Sequence, residues 1–270
     1  MSASGVFPIL VATVLATVLA AGGCVPTPPR PRVVAALGDS ITRGFDSCGL
    51  LADCPQVSWA TGTDPAVRSY LSRLARGTRL TAYNDAMTGA SSADLLLEAR
   101  RAAQQHADYV TVLIGANDVC APNERAMTSS AVFGSRVRAA LTYLHQARPG
   151  VRIFVASIPD IHRLWQVGSV VARAQLVWQV AGVCPTMLAN PRSFSAADTA
   201  RRARVQQRVA ADNAELHRAC AAVAGCRDDG GAVYRYPFTV ADLSGWDFFH
   251  PNRNGQRVLS DIASRSVFGA

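Results

Sequence analysis

The feature that most constrains the fold is a short apolar run that ends in a glycine and a serine. Residues 33–37 read Val-Val-Ala-Ala-Leu, and Gly38-Asp39-Ser40 follow. Small and β-branched residues stopped by a glycine predict a buried strand that ends in a tight turn, with the serine at its tip. Ligands of open parallel sheets bind outside the carboxyl ends of the strands, so Ser40 is a candidate nucleophile. A plainer interpretation is a helix cap just before Ile41.

The rest of the chain alternates strand and helix patterns. Further strands are predicted at residues 80–84, 109–114, 151–158 and near Val233, and the main helices at residues 91–105, 130–148, 196–224 and 254–267. Such alternation implies right-handed βαβ crossovers. We therefore predict a three-layer α/β/α sandwich with a central parallel sheet of about five strands, in one domain over residues 32–270. Residues 159–194 are predicted to form a long ordered excursion near the site.

Composition indicates a globular protein and argues against nucleic acid as a partner. The chain of 270 residues is 49% hydrophobic and 17% charged, with a formal net charge of +8. All of its basic residues other than histidine are arginines, scattered one or two at a time without interleaved aromatic residues. This pattern is typical of solvated helix faces and not of a nucleic-acid-binding surface.

The N-terminal residues have the composition of an export signal. Residues 1–23 carry no charged side chain and include an apolar stretch over residues 6–21. The stretch is short for a membrane span and ends in small residues, as a signal peptide does. The sequence before Cys24 resembles a bacterial lipoprotein processing site, with residues 24–31 as a proline-rich tether. We expect an exported protein, either anchored to a membrane through acylated Cys24 or secreted after cleavage without lipidation.

The cysteine count also favours export. Setting Cys24 aside leaves an even number, which is typical of a disulfide framework. No Cys-x-x-Cys pair or histidine cluster accompanies the cysteines, so no metal site is expected. Several connectivities are possible, and close spacing favours the bridges Cys48–Cys54 and Cys220–Cys226. These two bridges leave Cys120 to pair with Cys184.

Polar clusters follow the predicted strands on one edge of the sheet. Residues 84–90 follow the second strand, residues 115–118 follow the third, and Asp247-Phe248-Phe249-His250 lies in the last loop. An aspartate three residues before a histidine fits a turn in which the carboxylate holds one imidazole nitrogen and leaves the other for a serine hydroxyl. The sequence thus predicts a set of nucleophile, base and orienting carboxylate.

These blocks, taken together and in this order, resemble the four signature blocks of the SGNH/GDSL hydrolase superfamily over residues 33–267. The resemblance implies a flavodoxin-like fold and ester hydrolysis without a cofactor, through an acyl-enzyme on Ser40. It implies His250 as the base and Asp247 as its partner. It also implies an oxyanion hole formed by the backbone N–H groups of Ser40 and Gly89 and the side chain of Asn117. We expect a monomer.

The substrate class stays open from sequence. Residues 84–90, 110–120 and 158–165 also resemble the phospholipase B-like branch of the superfamily, which implies phospholipid or lysophospholipid esters. Acetylated carbohydrates and small aryl esters fit the same site. A non-catalytic surface lipoprotein is a further alternative, but it would leave the complete set of site residues unexplained. The pocket walls are expected to come from residues 48–59 and 165–194.

Overall fold

The computed structural model describes residues 1–2 and 30–268, and every strand and helix below belongs to the compact unit Pro31–Ala270. The predicted lipidation site Cys24 and nearly all of the predicted signal peptide and tether lie outside the described residues. Within the described part of the chain, no helix is long and apolar enough to cross a membrane.

Five parallel strands form the central sheet, in the spatial order β2-β1-β3-β4-β5. The predicted fold class is confirmed, since this is the order of flavodoxin-like doubly wound sheets. In such sheets the ligand crevice opens where the winding reverses, which is here between β1 and β3. The strands are β1 (Val33–Gly38), β2 (Thr81–Asn84), β3 (Tyr109–Leu113), β4 (Arg152–Val155) and β5 (Cys226–Asp228).

Helices cover both faces of the sheet because successive strand residues point to opposite faces. Ala35 and Leu37 of β1 pack into the hydrophobic core that includes α3, α5 and α9, whereas Val34 and Ala36 pack into the core that includes α2 and α11. The helices are α1 (Ser40–Arg43), α2 (Tyr70–Ala75), α3 (Leu95–Gln104), α4 (Ala116–Val119), α5 (Ser130–Ala147), α6 (Ile161–Gly168), α7 (Ala172–Ala181), α8 (Pro185–Leu188), α9 (Ala196–Ala221), α10 (Ala232–Arg235) and α11 (Arg253–Phe268).

The prediction of the last strand near Val233 is wrong. The fifth strand is β5, and Val233 lies in α10. Two glycines with positive φ, Gly230 and Gly231, turn the chain after β5, and the Asp229 carboxylate accepts a hydrogen bond from the Val233 N–H (2.8 Å), which favours a helical turn there. Val233 is a buried β-branched residue, which is the kind of residue that predicts a strand. The actual strand, β5, is a short edge strand whose sequence has no apolar run.

The segment between β4 and α9 is ordered, and it forms α6, α7 and α8. A disulfide between Cys120 and Cys184 joins the residue after α4 to the residue before α8, across 64 positions of sequence. The other two disulfides, Cys48–Cys54 and Cys220–Cys226, each close a short loop. All three bridges are those that the sequence analysis predicts, two from close spacing and the third as the pair that remains.

Candidate active site

Ser40 lies at the end of β1, as the first residue of α1, and only 6% of its surface is exposed. The turn that places it needs a glycine at position 38. The φ angle of Gly38 is +143°, and a Cβ atom there would come within 2.2 Å of the Leu113 carbonyl oxygen. Asp39 caps the helix, since its Oδ1 accepts a hydrogen bond from the Ile41 N–H at 2.9 Å.

Buried polar contacts fasten this turn to α11. The Gln256 side chain donates to the Ile41 carbonyl oxygen (2.8 Å) and accepts from the Trp59 N–H (2.8 Å). The Trp59 indole N–H in turn donates to Thr42 Oγ1 at 3.2 Å. Gln256 and Trp59 are both fully buried, so the contacts do not compete with water. The backbone that carries Ser40 is therefore held in one arrangement.

Ser40, His250 and Asp247 form one continuous line of hydrogen bonds. His250 Nε2 lies 2.7 Å from Ser40 Oγ, and His250 Nδ1 lies 2.5 Å from Asp247 Oδ2. An ionised carboxylate only accepts hydrogen bonds, so the imidazole proton lies on Nδ1. Nε2 is then free to accept the proton of the serine hydroxyl.

Local backbone geometry keeps Asp247 ionised. Its Oδ1 accepts hydrogen bonds from the N–H groups of Phe249 (2.9 Å) and His250 (3.0 Å). Burial opposes ionisation, but the hydrogen bonds and the charge of His250 outweigh it and hold the pKa of Asp247 below its usual value. This explains the spacing of three residues in the sequence, because the turn lets one carboxylate reach both the backbone and the ring.

Aromatic residues hold the imidazole in place. The ring of His250 makes edge-to-face contacts with Phe45 and Phe249, with centroid distances of 5.0 Å and 5.1 Å. The indole N–H of Trp178 in α7 donates to the Asp247 carbonyl oxygen at 3.1 Å. Sequence reasoning missed Phe45 and Trp178, although it did expect the segment that contains Trp178 to lie near the site.

Hydrogen bonds join the two segments that contain Gly89 and Asn117, the residues predicted to contribute to the oxyanion hole. The Asn117 side-chain amide donates to the Ala90 carbonyl oxygen (2.8 Å), next to Gly89. The Asp118 carboxylate accepts hydrogen bonds from the Ser92 N–H (2.8 Å) and hydroxyl (2.6 Å). A Cβ at Gly89 would meet no atom within 4 Å, so the residue is needed for its φ of +86° and not for lack of space.

A buried carboxyl beneath the nucleophile was also missed. Glu98 of α3 is fully buried, and its Oε2 accepts a hydrogen bond from the Gly38 N–H at 2.7 Å. Burial raises the pKa of Glu98 to about 9, and it raises the pKa of Asp39 to about 7. The helical pattern of the sequence could have revealed that Glu98 is buried, because Glu98 lies between Leu95 and Ala102 on the apolar face of its helix.

A small apolar cavity of about 40 Å³ is lined by residues that are neighbours in sequence of Ser40, Asn117 and His250. Ile41 follows the nucleophile, Ala116 precedes Asn117, and Phe249 and Pro251 flank His250. None of the residues that line this cavity comes from the predicted walls at residues 48–59 and 165–194, so that prediction is wrong for this cavity. The remaining lining residues are Pro159, Asp160, Ile161, Leu164, Phe238 and Leu243.

One group of side chains in the described part of the chain has the spacing of metal ligands. An oxygen each of Asp46 and Asp247 and a ring nitrogen of His250 lie within 4.8 Å of one another. Two of the three, Asp247 and His250, are already hydrogen-bonded to each other. The arrangement therefore suits proton transfer between side chains better than metal binding.

A flavodoxin-like sheet with hydrogen-bonded serine, histidine and aspartate side chains at its carboxyl edge defines a hydrolase of the serine type. Residues 36–258 match the model of the GDSL-like lipase/acylhydrolase family. The chain belongs to this family, and it is a serine esterase. The resemblance that the sequence motifs suggested is thereby confirmed.

Solved structures show the same fold at low sequence identity. An enzyme from the metagenome of Lake Arreo, described as an α/β hydrolase, is 18% identical with a TM-score of 0.55, and the match covers 88% of this chain and 95% of that one. An acetylxylan esterase from Geobacillus stearothermophilus is 16% identical with a TM-score of 0.53, covering 88% and 94%. No curated protein sequence is significantly similar to this chain.

Replacing Glu98 by Gln should stabilise the protein increasingly as pH rises. The unfolded chain ionises Glu98 above its ordinary pKa, whereas the folded protein keeps it neutral up to about pH 9, so the wild type loses stability between these values. Glutamine can still accept from the Gly38 N–H but has no proton to lose. We expect the melting temperature of Glu98→Gln to exceed that of the wild type by on the order of 5 °C more at pH 8 than at pH 5.

Thermal melts across this pH range would check the prediction. Glu124→Gln is the control, because Arg204 holds the pKa of that half-buried carboxyl below its usual value, so both states are largely ionised above pH 5 and its effect should change little between pH 5 and pH 8. A difference between Glu98→Gln and wild type that does not change with pH would contradict the expected protonation of Glu98.

Proposed function

We propose that the protein hydrolyses carboxylic esters through an acyl-enzyme on Ser40. The observation that carries this proposal is the unbroken line of hydrogen bonds from Ser40 Oγ through the imidazole of His250 to Asp247. As Oγ attacks the ester carbonyl carbon, His250 Nε2 takes the hydroxyl proton, and it then gives this proton to the alcohol as the C–O bond breaks. Water repeats the two steps and releases the acid, which regenerates Ser40.

Three N–H donors are proposed to stabilise the tetrahedral intermediate. The backbone N–H groups of Ser40 and Gly89 make no hydrogen bond in the described part of the chain. Asn117 Nδ2 uses one hydrogen on the Ala90 carbonyl oxygen, which fixes the amide and leaves its second hydrogen for the oxyanion. Donors fixed in advance are each worth about 3 to 4 kcal/mol of barrier.

Ser40→Ala and His250→Ala should each nearly abolish turnover, and the double variant should be hardly worse, because members of one catalytic unit are strongly non-additive. Asn117→Ala should lower kcat by roughly 100-fold with little change in KM, since its amide acts on the developing charge. Hydrolysis of nitrophenyl acetate measures the loss of turnover in each variant, and labelling by a fluorophosphonate tests whether Ser40 is the nucleophile. An active or still labelled Ser40→Ala protein would mean that another residue is the nucleophile.

The apolar cavity supports esters of short, apolar acyl groups as substrates. Its lining is apolar apart from Asp160, and its volume of about 40 Å³ fits a group of a few carbon atoms better than a long acyl chain. We therefore place lysophospholipid and long-chain lipid esters behind short-chain esters as candidates. Acetylated carbohydrates share the short acyl group, and the structurally similar protein from Geobacillus stearothermophilus is an acetylxylan esterase.

Leu164→Ala should shift preference toward longer acyl groups, because Leu164 forms part of the cavity wall. Each buried methylene contributes about 0.8 kcal/mol, so the ratio of kcat/KM for butyryl over acetyl nitrophenyl esters should rise about tenfold. Leu141→Ala is the matched control, since Leu141 is a buried leucine of α5 outside the cavity lining. An unchanged ratio in Leu164→Ala, or an equal rise in Leu141→Ala, would show that this cavity does not hold the acyl group.

We further propose that the protein is exported and anchored through Cys24. The apolar stretch and the small residues before Cys24 support this, as do the three disulfides, because such bridges persist in oxidising compartments. In a bacterial host, Cys24→Ala should move the protein from the membrane fraction to the soluble fraction. Pro26→Ala, a change in the tether, should leave it in the membrane fraction. Membrane retention of Cys24→Ala would rule the anchor out.

A further inference from the structure

A second carboxyl group meets the aspartate of the proposed triad. Asp46 lies in the loop after α1, and only 2% of its surface is exposed. One of its carboxyl oxygens lies within 4.8 Å of an Asp247 carboxylate oxygen and of a His250 ring nitrogen. Two ionised carboxylates at this distance would repel each other. Two carboxyl groups can share a hydrogen bond only when one of them carries a proton.

The loop backbone holds Asp46 in this position from several sides. Its φ is +56°, a left-handed conformation that residues other than glycine adopt only when their surroundings require it. Its N–H donates to the Ala52 carbonyl oxygen (3.0 Å), and its carbonyl oxygen accepts from the Ser244 hydroxyl (2.8 Å). Its Oδ1 accepts from the Leu51 N–H at 2.5 Å. Leu51 and Ala52 lie within the short loop that the Cys48–Cys54 disulfide closes.

The surroundings decide which of the two carboxyl groups carries the proton. Asp247 faces His250 and two backbone N–H groups, and these keep it ionised. Asp46 is buried beside that negative charge, so burial and then the charge of Asp247 raise the pKa of Asp46, against the smaller opposing effects of the hydrogen bond from the Leu51 N–H and then of His250. Because Oδ1 of Asp46 accepts from the Leu51 N–H, Oδ2 is the oxygen that is left to carry a proton.

We propose that Asp46 is a positioning residue: in its protonated form it donates a hydrogen bond to Asp247 and so fixes the carboxylate that orients His250. This inference rests on the proposed roles of Asp247 and His250. The proposed hydrogen bonds then run from Ser40 through His250 and Asp247 to Asp46, and the last of these four side chains is a neutral carboxylic acid. The pair of carboxyl groups then carries a single negative charge, which one imidazolium balances when His250 takes the proton of Ser40.

Two substitutions at position 46 separate this role from a merely structural one. Asp46→Asn keeps a neutral donor toward Asp247 and an acceptor for the Leu51 N–H, so kcat should stay within about threefold of wild type, and the midpoint of the acid limb of kcat/KM against pH should move by less than about 0.3 unit. Asp46→Ala removes both contacts. It should lower kcat at least about tenfold with KM nearly unchanged, since small misplacements of a catalytic group are costly.

The pH profile of Asp46→Asn also shows what to expect if Asp46 is not protonated. If Asp46 were ionised at neutral pH, Asp46→Asn would delete a negative charge close to His250 and move the acid midpoint down by about one unit or more. That shift, or full activity of Asp46→Ala, would overturn the inference. Should Asp46→Ala fail to fold, the profile of Asp46→Asn still tests whether Asp46 is protonated, and a shifted midpoint still overturns the inference. Asp228→Asn is the control, because Asp228 pairs with His217 (2.9 Å) outside the site and should leave the profile unchanged.

The result for Ser40→Ala keeps this inference distinct from the proposed function. If Ser40→Ala is inactive and Asp46→Asn shifts the acid midpoint, the proposed function stands and the role of Asp46 fails. If Ser40→Ala retains activity, both fail. If Ser40→Ala is inactive, Asp46→Asn follows the wild-type profile and Asp46→Ala loses turnover, both are supported.

Discussion

The hydrogen bond between Ser40 and His250 is the contact on which the site depends, and it joins residues that are 210 positions apart. It forms because the loop before α11 is fastened to the segment after β1. The Ser47 hydroxyl donates to the Pro251 carbonyl oxygen (2.7 Å), and the Gln256 amide donates to the Ile41 carbonyl oxygen (2.8 Å). Neither contact involves an ionised group, so this attachment is insensitive to salt and to pH.

The carboxyl groups around the site differ in charge because their surroundings differ. Asp247 receives hydrogen bonds from an imidazole and two backbone N–H groups, whereas Glu98 and Asp39 are fully buried, each with one backbone N–H as a hydrogen-bond donor. Burial therefore keeps Glu98 neutral at pH 7. A negative charge at that position, directly under the nucleophile turn, would oppose the charge that develops on the substrate oxygen. The neutral acid supports the turn without this cost.

The sequence predicted those parts of the site whose geometry is local. Gly38 to Ser40 follow a strand that their own composition predicts, and Asp247 reaches His250 within one turn, so the residue types and their spacing were enough. Asp46 and Trp178 could not be found in this way. Each is close to Asp247 in the fold but far from it in the sequence, Trp178 by 69 positions and Asp46 by more, and nothing in the sequence near either residue indicates that partner. The strand β5 escaped prediction for a related reason: pairing with β4 stabilises it, not an apolar pattern of its own.

The apolar cavity lies where the two hydrophobic cores meet, beyond the carboxyl ends of β1 and β3. Ile41 and Phe238 belong to the core on one side of the sheet, and Leu164 and Phe249 belong to the core on the other. Its walls are therefore also packing residues, and a large-to-small change there removes core contacts as well as enlarging the cavity. The proposed acyl preference is therefore coupled to stability, because the same side chains close the hydrophobic cores and line the cavity.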